Sequence, residues 1–110
     1  MVKISPEIKK AIMNYIGEIN NICSIDKAIV FGSYASGHHS LNSDIDIAIF
    51  SREINDNNRL KFMKTFFMKI GKYKLDIQPL AFALTDLMDK NNDFIINEIK
   101  NKGIEIYSRG

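Results

Sequence analysis

The sequence predicts a small α/β or α+β domain in which a mixed β-sheet is covered by helices mainly on one face. Two observations lead to this prediction. Segments with apolar residues at helical spacing alternate with short apolar, β-branched segments, in the order α-β-α-β-α-β-α-β. The chain has 110 residues, a length that favours one domain over residues 1–110 with a single modest core.

The first half of the chain predicts a helix and two strands. Ser5 is a good N-cap and Pro6 suits the first helical position. The helix then presents one apolar stripe, formed by Ile8, Ile12, Tyr15 or Ile16, Ile19 and Ile22. Residues 27–31 read as a buried strand, and residues 44–50 as a second one. Between them, residues 33–37 favour one or two helical turns that end at Gly37.

The second half alternates in the same way. Residues 59–70 have helical spacing and are followed by Gly71, a helix stop. Residues 74–80 alternate as a third strand, with Pro79 near its end or on a sheet edge.

The C-terminal segment predicts a helix and a last strand. Thr85 is a candidate cap for a helix that breaks near residues 91–92, restarts through Phe94 and ends at Gly103. Residues 104–107 predict a short final strand or an extended tail.

Composition excludes several classes of protein. The net charge of +2 is too small to indicate a nucleic-acid partner. No apolar run is long enough to span a bilayer, and the first ten residues lack the apolar core of a signal peptide. The single cysteine, Cys23, cannot form an intrachain disulfide, and its apolar neighbours favour a small buried or half-buried residue over a reactive thiol. A cytoplasmic protein without membrane contact is therefore expected.

Positive charge is concentrated in residues 59–74, which contain no acidic residue. The basic residues of this segment are Arg59, Lys61, Lys64, Lys69, Lys72 and Lys74. Two interpretations remain open, a solvated helix face and a surface for a partner or for phosphate, and the first is favoured.

Two aspartates stand at the head of the second strand. Because side chains alternate along a strand, Asp44 and Asp46 project to the same face, whereas Ile45, Ile47 and Ile49 project to the other. Like charges side by side repel each other, and a divalent cation removes this repulsion. Mg²⁺ commonly binds one or two carboxylates and fills its shell with water and phosphate oxygens. The pair therefore predicts a metal and nucleotide site.

A glycine and a serine follow the first strand. Gly32 allows the backbone to approach a ligand closely, and a helix N-terminus after it offers N–H groups to phosphate. The hydroxyl of Ser33 can add a hydrogen bond. A glycine-serine pair after a strand is most often only a turn. The interpretation as a phosphate-binding turn therefore depends on the aspartates that follow it in the chain.

Asp76 lies on the polar face of the third predicted strand. If that strand neighbours the second, its carboxylate can join Asp44 and Asp46. Three converging carboxylates with one or two Mg²⁺ ions suit phosphoryl or nucleotidyl transfer. Asp76 would then help to hold a second ion and activate the attacking hydroxyl, or accept its proton. A structural charge paired with a lysine is the alternative for this residue.

Two adjacent histidines, His38 and His39, lie between the halves of this pattern. Because no Cys or His at finger spacing accompanies them, exposed loop residues are a better interpretation than metal ligands.

This pattern of Gly32-Ser33, Asp44-Ile45-Asp46 and Asp76 resembles the nucleotidyltransferase superfamily of DNA polymerase β. Within it, the sequences GSYASG, SDIDIAIF, LDIQPL and GIEIYSRG are similar to the minimal nucleotidyltransferases, or MNT proteins. The resemblance covers nearly the whole chain and implies the polymerase β-like fold.

The resemblance also implies an activity and a site. Gly32, Ser33, Asp44 and Asp46 would bind the nucleotide, and Asp44, Asp46 and Asp76 would be the metal-binding and catalytic carboxylates. Family members commonly transfer AMP from ATP to a hydroxyl and release pyrophosphate, with two Mg²⁺ ions. Many are encoded beside a HEPN-domain toxin, which they bind as antitoxins and in some cases adenylylate on a tyrosine.

One position departs from the family. Many MNT proteins have Arg where this chain has Ser36, and Ser cannot supply a forked, charged donor to phosphate. A lysine of residues 59–74 is a candidate replacement.

The small size of the chain bears on the acceptor. Transfer needs the acceptor hydroxyl held in line with the leaving group, and a domain of this size has little room for a second-substrate cleft. We therefore expect the acceptor to come from a partner protein, or the chain to self-associate. The competing hypothesis is a non-catalytic antitoxin that neutralises a HEPN partner by complex formation.

Overall fold

The computed structural model describes residues 4–36, 44–73 and 75–109, with only the backbone given for Ser36 and Lys72. The predictions for Gly37, for the His38–His39 pair and for Lys74 lie outside these residues, as does the side chain of Ser36.

Strands and helices follow each other in the predicted order. In the described residues the strands are β1 (Lys27–Phe31), β2 (Ile45–Ser51), β3 (Ile77–Ala83) and β4 (Ile104–Ser108). The α-helices are α1 (Pro6–Ile19), α2 (Ser33–Ser36) and α3 (Arg59–Met68). Shorter helical segments are 3₁₀ helices at Gly71–Tyr73 and Leu84–Met88 and a π-helix at Ile95–Lys100.

The strands form one mixed sheet with the order β3-β2-β1-β4. Strand β1 pairs antiparallel with β2 and with β4, whereas β2 and β3 are parallel. This confirms the predicted mixed sheet and places β3 and β4 on its edges.

The two longer helices cover one face of the sheet. On this face the isoleucines Ile45, Ile47 and Ile49 pack in one core cluster with buried residues of α1 and with Phe66 of α3. The other face carries a smaller cluster, in which the π-helix packs on Phe31 and Phe50 through Ile95 and Ile99. Helices therefore lie mainly on one face, as predicted, and short helical segments cover the second.

Helix α1 begins as its sequence predicts. The Ser5 hydroxyl accepts a hydrogen bond from the Ile8 N–H at 3.3 Å, and Pro6 is the first helical residue. Tyr15 and Ile16 are both buried, and the Tyr15 hydroxyl donates to the Phe66 carbonyl at 2.7 Å, which joins α1 to α3.

Ile22 and Cys23, which follow α1, differ in burial. Ile22 lies beyond the helix and is 37% exposed, so it does not extend the apolar stripe. Cys23 is buried, as predicted, and its burial raises the pKa of the thiol.

Strand β3 begins and ends later than the sequence predicts. It runs from Ile77 to Ala83, so Asp76 directly precedes it and Pro79 lies inside it. Pro79 is tolerated because β3 is an edge strand, where a missing N–H need not break a ladder.

The prediction that Thr85 caps a helix is wrong. Thr85 lies inside the 3₁₀ helix Leu84–Met88, and the cap is formed by Asp86, whose carboxylate accepts a hydrogen bond from the Ala83 N–H at 3.0 Å. The predicted break and restart are present, since Asn92 Oδ1 accepts from the Ile95 N–H at the start of the π-helix.

Three lysines of this segment, Lys61, Lys64 and Lys69, are exposed, which is compatible with both interpretations, a solvated helix face and a surface for a partner or for phosphate. Arg59 differs from them: its guanidinium carbon lies 5.0 Å from the centroid of the Phe82 ring. This is a cation–π contact, which holds the start of α3 against β3. No helix of the described residues is long and apolar enough to cross a membrane.

Asp26 ties together the start of β1, the end of β2 and the C-terminus. Its buried carboxylate accepts from the Arg52 guanidinium at 2.7 Å and from the Arg52 N–H at 2.8 Å. Its carbonyl accepts from the Arg109 N–H at 2.8 Å. The side-chain hydrogen bond from Arg52 is the main reason why the pKa of Asp26 is lowered.

We expect Asp26→Asn to lower the free energy of unfolding at pH 7 by about 2 kcal/mol, since it weakens a charged hydrogen bond. Because the folded pKa is lowered, this stability is present above the ordinary pKa of 3.8 and is lost as the pH falls through the lowered value. Urea unfolding at pH 7 and pH 3 measures both effects. Asp56→Asn, in the exposed turn before α3, is the control, and a loss independent of pH would contradict the prediction.

Candidate active site

The register of the sheet brings the predicted site residues to one end of three strands. In the antiparallel pair, Phe31 at the end of β1 lies opposite Asp46 near the start of β2. In the parallel pair, Ile45 lies beside Ile77, so the residues just before them, Asp44 and Asp76, are also neighbours. Residues far apart in the chain therefore meet at this end of the sheet.

Asp46 lies on the face of β2 opposite the isoleucines, as the alternation predicts, and Asp44 directly precedes the strand. Asp46 is on the same side as Ala48 and Phe50, which belong to the smaller core cluster. The isoleucines between them are buried on the opposite face. The carboxylates therefore extend from the end of a packed apolar surface.

Burial and charge act together on this pair. Asp44 is exposed and Asp46 is half-buried. Burial, followed by the nearby charge of Asp44, raises the pKa of Asp46. In the described part of the chain neither carboxylate accepts a hydrogen bond or joins an ion pair. The ionised pair is thus unfavourable on its own, which is the electrostatic situation that a cation relieves.

Gly32 is required next to Asp46 for two reasons. Its φ of 72° lies in the left-handed region, which favours glycine. A Cβ atom at this position would lie 2.5 Å from Oδ2 of Asp46. The backbone of Gly32 therefore lies directly against the carboxylate, so a ligand held by Asp46 would also meet this turn.

Ser33 begins α2, which is one turn long. The turn is closed by the Ala35 N–H, which donates to the Gly32 carbonyl at 3.1 Å. Because so short a helix has only a small dipole, phosphate binding here would depend on individual N–H groups and on the hydroxyl.

Asp76 is next to the pair through its backbone. Its carbonyl accepts from the Ile45 N–H at 2.7 Å, and its side chain is exposed. However, across residues 4–36, 44–73 and 75–109, no three His, Cys, Asp or Glu side chains lie close enough together to hold a metal ion. The structure therefore brings Asp44 and Asp46 together and leaves Asp76 beside them, and its role as a third ligand stays a prediction.

The pair of carboxylates fits Mg²⁺. They supply hard oxygen ligands, and Mg²⁺ is commonly bound by one or two carboxylates with phosphate oxygens and water completing its shell. A cation there would also remove the repulsion that raises the pKa of Asp46.

Two neighbours of Asp46 were not predicted as site residues. Gln78 lies beside it in β3 and is exposed, whereas Phe31 lies opposite it in β1 and is buried. Alternation along residues 74–80 places Gln78 on the face of Asp76, but pairing it with Asp46 requires the strand register.

A cavity of about 320 Å³ on this face of the sheet lies away from the carboxylates. Its lining includes Lys27 and Ile29, at the start of β1, together with Ile99 of the π-helix. Since β1 and β2 are antiparallel, Asp46 is at the other end of β1, and the cavity contains none of the predicted site residues.

Comparisons with known proteins agree with this geometry. The family described as "Polymerase beta, Nucleotidyltransferase" matches residues 7–110. The chain is also 28% identical over 107 residues to MJ0141 of Methanocaldococcus jannaschii, which is named as a candidate protein adenylyltransferase. That alignment covers 96% of this chain and 98% of the relative.

Solved structures share the fold. A candidate nucleotidyltransferase from Sulfolobus solfataricus superimposes with a TM-score of 0.63 at 17% identity, over 99% of this chain and 93% of that chain. A chain from the complex of tri-AMPylated Shewanella oneidensis HEPN toxin with MNT antitoxin has a TM-score of 0.53 at 14% identity, over 92% and 70% of the two chains.

Proposed function

Because this chain belongs to the polymerase β nucleotidyltransferase family, we propose that it transfers AMP from ATP to a hydroxyl group of a partner protein and releases pyrophosphate. The observation that carries the proposal is the Asp44–Asp46 carboxylate pair, which has no partner among the described residues and whose Asp46 lies against the backbone of Gly32. The adenylyltransferase name of the relative from Methanocaldococcus jannaschii supports AMP as the transferred group.

Each site residue has a role in this proposal. Asp44 and Asp46 hold Mg²⁺, which supplies charge neutralisation at the phosphates when bound. The turn at Gly32-Ser33 binds phosphate oxygens through N–H groups and the serine hydroxyl. Asp76, exposed beside the pair, accepts the proton of the attacking hydroxyl or helps to hold a second ion.

The transfer step balances with these groups. The acceptor oxygen forms a bond to the α-phosphorus of ATP. At the same time, the bond from that phosphorus to the oxygen that bridges the α- and β-phosphates breaks. Pyrophosphate leaves, and the hydroxyl proton passes to a carboxylate or to water. In-line geometry at phosphorus is the main requirement, so the protein contributes chiefly by positioning and charge.

The proposed acceptor is a tyrosine of a HEPN-domain toxin, which makes the chain an antitoxin. The fold is shared with a chain from a complex of an AMPylated HEPN toxin and an MNT antitoxin, which supports this choice. Self-association of the chain is the alternative way to complete an acceptor groove.

The outer face of α3 also supports a protein partner. Three large apolar side chains are exposed on it: Leu60 at 77%, Phe67 at 57% and Met68 at 71%. Exposed lysines lie among them, and no acidic residue occurs in residues 59–74. This composition fits a partner surface that is apolar with an acidic rim.

Incubation with labelled ATP, Mg²⁺ and the protein encoded by the neighbouring gene tests the proposal. We expect label on a tyrosine of that partner, and no label with the Asp44→Ala variant. The Asp56→Ala variant, changed in an exposed turn away from the site, should label the partner at the wild-type rate.

The same experiment separates the competing function. A tight complex without label, unchanged by Asp44→Ala, would show an antitoxin that acts by occlusion and would contradict the transferase proposal. Salt-sensitive binding of RNA or DNA would instead indicate a nucleic-acid-binding domain that uses the lysines of α3.

A further inference from the structure

Phe94 is a large aromatic residue that the folded chain leaves 45% exposed. It lies directly before the π-helix Ile95–Lys100, whose Ile95 and Ile99 are fully buried in the smaller core cluster. The Phe94 ring is not loose, because it packs on Phe31 with the ring centroids 5.7 Å apart and the planes at 88°. This edge-to-face contact fixes the position of an aromatic surface that remains open to ligands.

The support of Phe94 is also the cross-strand neighbour of the carboxylate site. Phe31 lies opposite Asp46, and residues directly opposite in an antiparallel pair have side chains on the same face. Phe31 is followed by Gly32, the turn that touches the Asp46 carboxylate. The exposed ring of Phe94 therefore lies one aromatic ring beyond the cross-strand neighbour of that carboxylate, on the same face of the sheet.

We infer that Phe94 is the surface on which the base of the nucleotide stacks. The inference rests on the proposed function, in which the phosphates are held by the aspartates and by the turn at Gly32. In that arrangement the base lies beyond the ribose, away from the phosphates, and Phe94 lies beyond Phe31 on the same face as Asp46, where a base can reach it. Aromatic side chains bind any base through its face, so Phe94 contributes affinity for a nucleoside with little discrimination among bases.

Position distinguishes Phe94 from other exposed apolar residues. Isolated exposed apolar side chains are common on proteins and need no function. Phe67 is also exposed, at 57%, but it lies on α3, which covers the opposite face of the sheet and carries the proposed partner surface. Phe94, unlike Phe67, packs on a residue that neighbours the carboxylates. Substitutions of Phe94 and Phe67 therefore serve as a test and its matched control.

Titration calorimetry of the full chain with Mg·ATP and with Mg·tripolyphosphate, which lacks the nucleoside, tests the inference. The main variant is Phe94→Leu, which keeps an apolar contact with Phe31 and removes the aromatic face. We expect it to weaken ATP binding about 10-fold and to leave tripolyphosphate binding unchanged. Phe94→Trp should restore ATP affinity, and Phe67→Leu should change neither ligand.

Any other outcome overturns the inference. The measurements also show whether the inference about Phe94 fails alone or together with the proposed function. Equal ATP affinity in Phe94→Leu and wild type would show that the base lies elsewhere while the phosphate site remains. Equal losses for ATP and tripolyphosphate would show a structural role for Phe94. Weaker binding to the HEPN partner with unchanged ATP binding would make Phe94 part of the protein interface. Absence of binding of either ligand to the wild-type chain would overturn the proposed function as well.

Discussion

Asp46→Asn is expected to abolish Mg²⁺-dependent nucleotide binding and to raise the thermal stability of the metal-free protein. The first effect follows because the amide cannot replace a charged oxygen ligand beside Asp44. The second follows because the ionised Asp46 is half-buried next to a like charge, and both conditions raise its pKa. A neutral side chain of the same shape removes that penalty.

The two aspartates should differ in their effect on stability. Burial is the larger cause of the raised pKa of Asp46 and the charge of Asp44 is the smaller one. Asp46→Asn removes both, whereas Asp44→Asn removes only the repulsion. We therefore expect the melting temperature of the metal-free protein to rise more with Asp46→Asn, although both variants lose nucleotide binding.

The gain in stability should depend on pH in a defined direction. A carboxyl group whose pKa is raised by folding contributes stability below its ordinary pKa of 3.8, and this contribution is lost as the pH rises through the raised value. The advantage of Asp46→Asn is thus complete at neutral pH and disappears as the pH approaches 3.8.

Thermal melts at pH 7.5 and pH 4, with and without Mg²⁺ and ATP, measure these effects, and Asp56→Asn is the control. A lower melting temperature for metal-free Asp46→Asn at pH 7.5 would show that the carboxylate is a structural ion-pair partner. Unchanged nucleotide binding would show that it is not a ligand.

Gly32→Ala is expected to reduce both stability and nucleotide affinity. An alanine at the φ of 72° loses about 1–2 kcal/mol of folding free energy, because its Cβ is crowded in the left-handed conformation. The same Cβ would lie 2.5 Å from Oδ2 of Asp46, so the carboxylate must move away from the position in which it faces the turn. Nucleotide affinity should fall by more than 10-fold, since the predicted ligand is displaced.

Chemical unfolding and ATP titration of the variant check both effects. Gly17→Ala is the matched control, because Gly17 lies inside α1 and a Cβ there meets no atom within 4 Å. It should raise the free energy of unfolding by up to about 1 kcal/mol through higher helix propensity and leave ATP binding unchanged.

A double-mutant cycle separates the two causes at Gly32. In an Asp46→Ala background the colliding oxygen is absent, so Gly32→Ala should cost only the conformational part of the loss. Equal costs in both backgrounds would contradict the proposed displacement of the carboxylate.

Local patterns in the sequence were sufficient for several elements. The start of α1 follows from Ser5 and Pro6, and β1 covers the predicted residues 27–31. The alternation that predicts Asp44 and Asp46 on one face is a property of any extended backbone, and the structure shows it at Asp46, whose neighbours Ile45 and Ile47 are buried on the opposite face.

Other features depended on pairing between distant segments. Pro79 reads locally as the end of a strand, but parallel pairing with β2 carries β3 on to Ala83. Thr85 is a plausible cap in the sequence, yet Asp86 forms the observed one because its carboxylate reaches the Ala83 N–H. Phe94 gave no local signal of a site, because its importance depends on contact with Phe31.

By itself the sequence determined which residues carry charge, where glycine allows a sharp turn, and that two carboxylates share a strand face, since each of these is a property of one short segment. Only the tertiary structure decided that β3 lies beside β2, that Asp46 lies against Gly32, and that Asp76 neighbours the pair without closing a three-carboxylate cluster. The physical reason is that strand register and side-chain distances are set by packing across the whole sheet, which no single segment specifies.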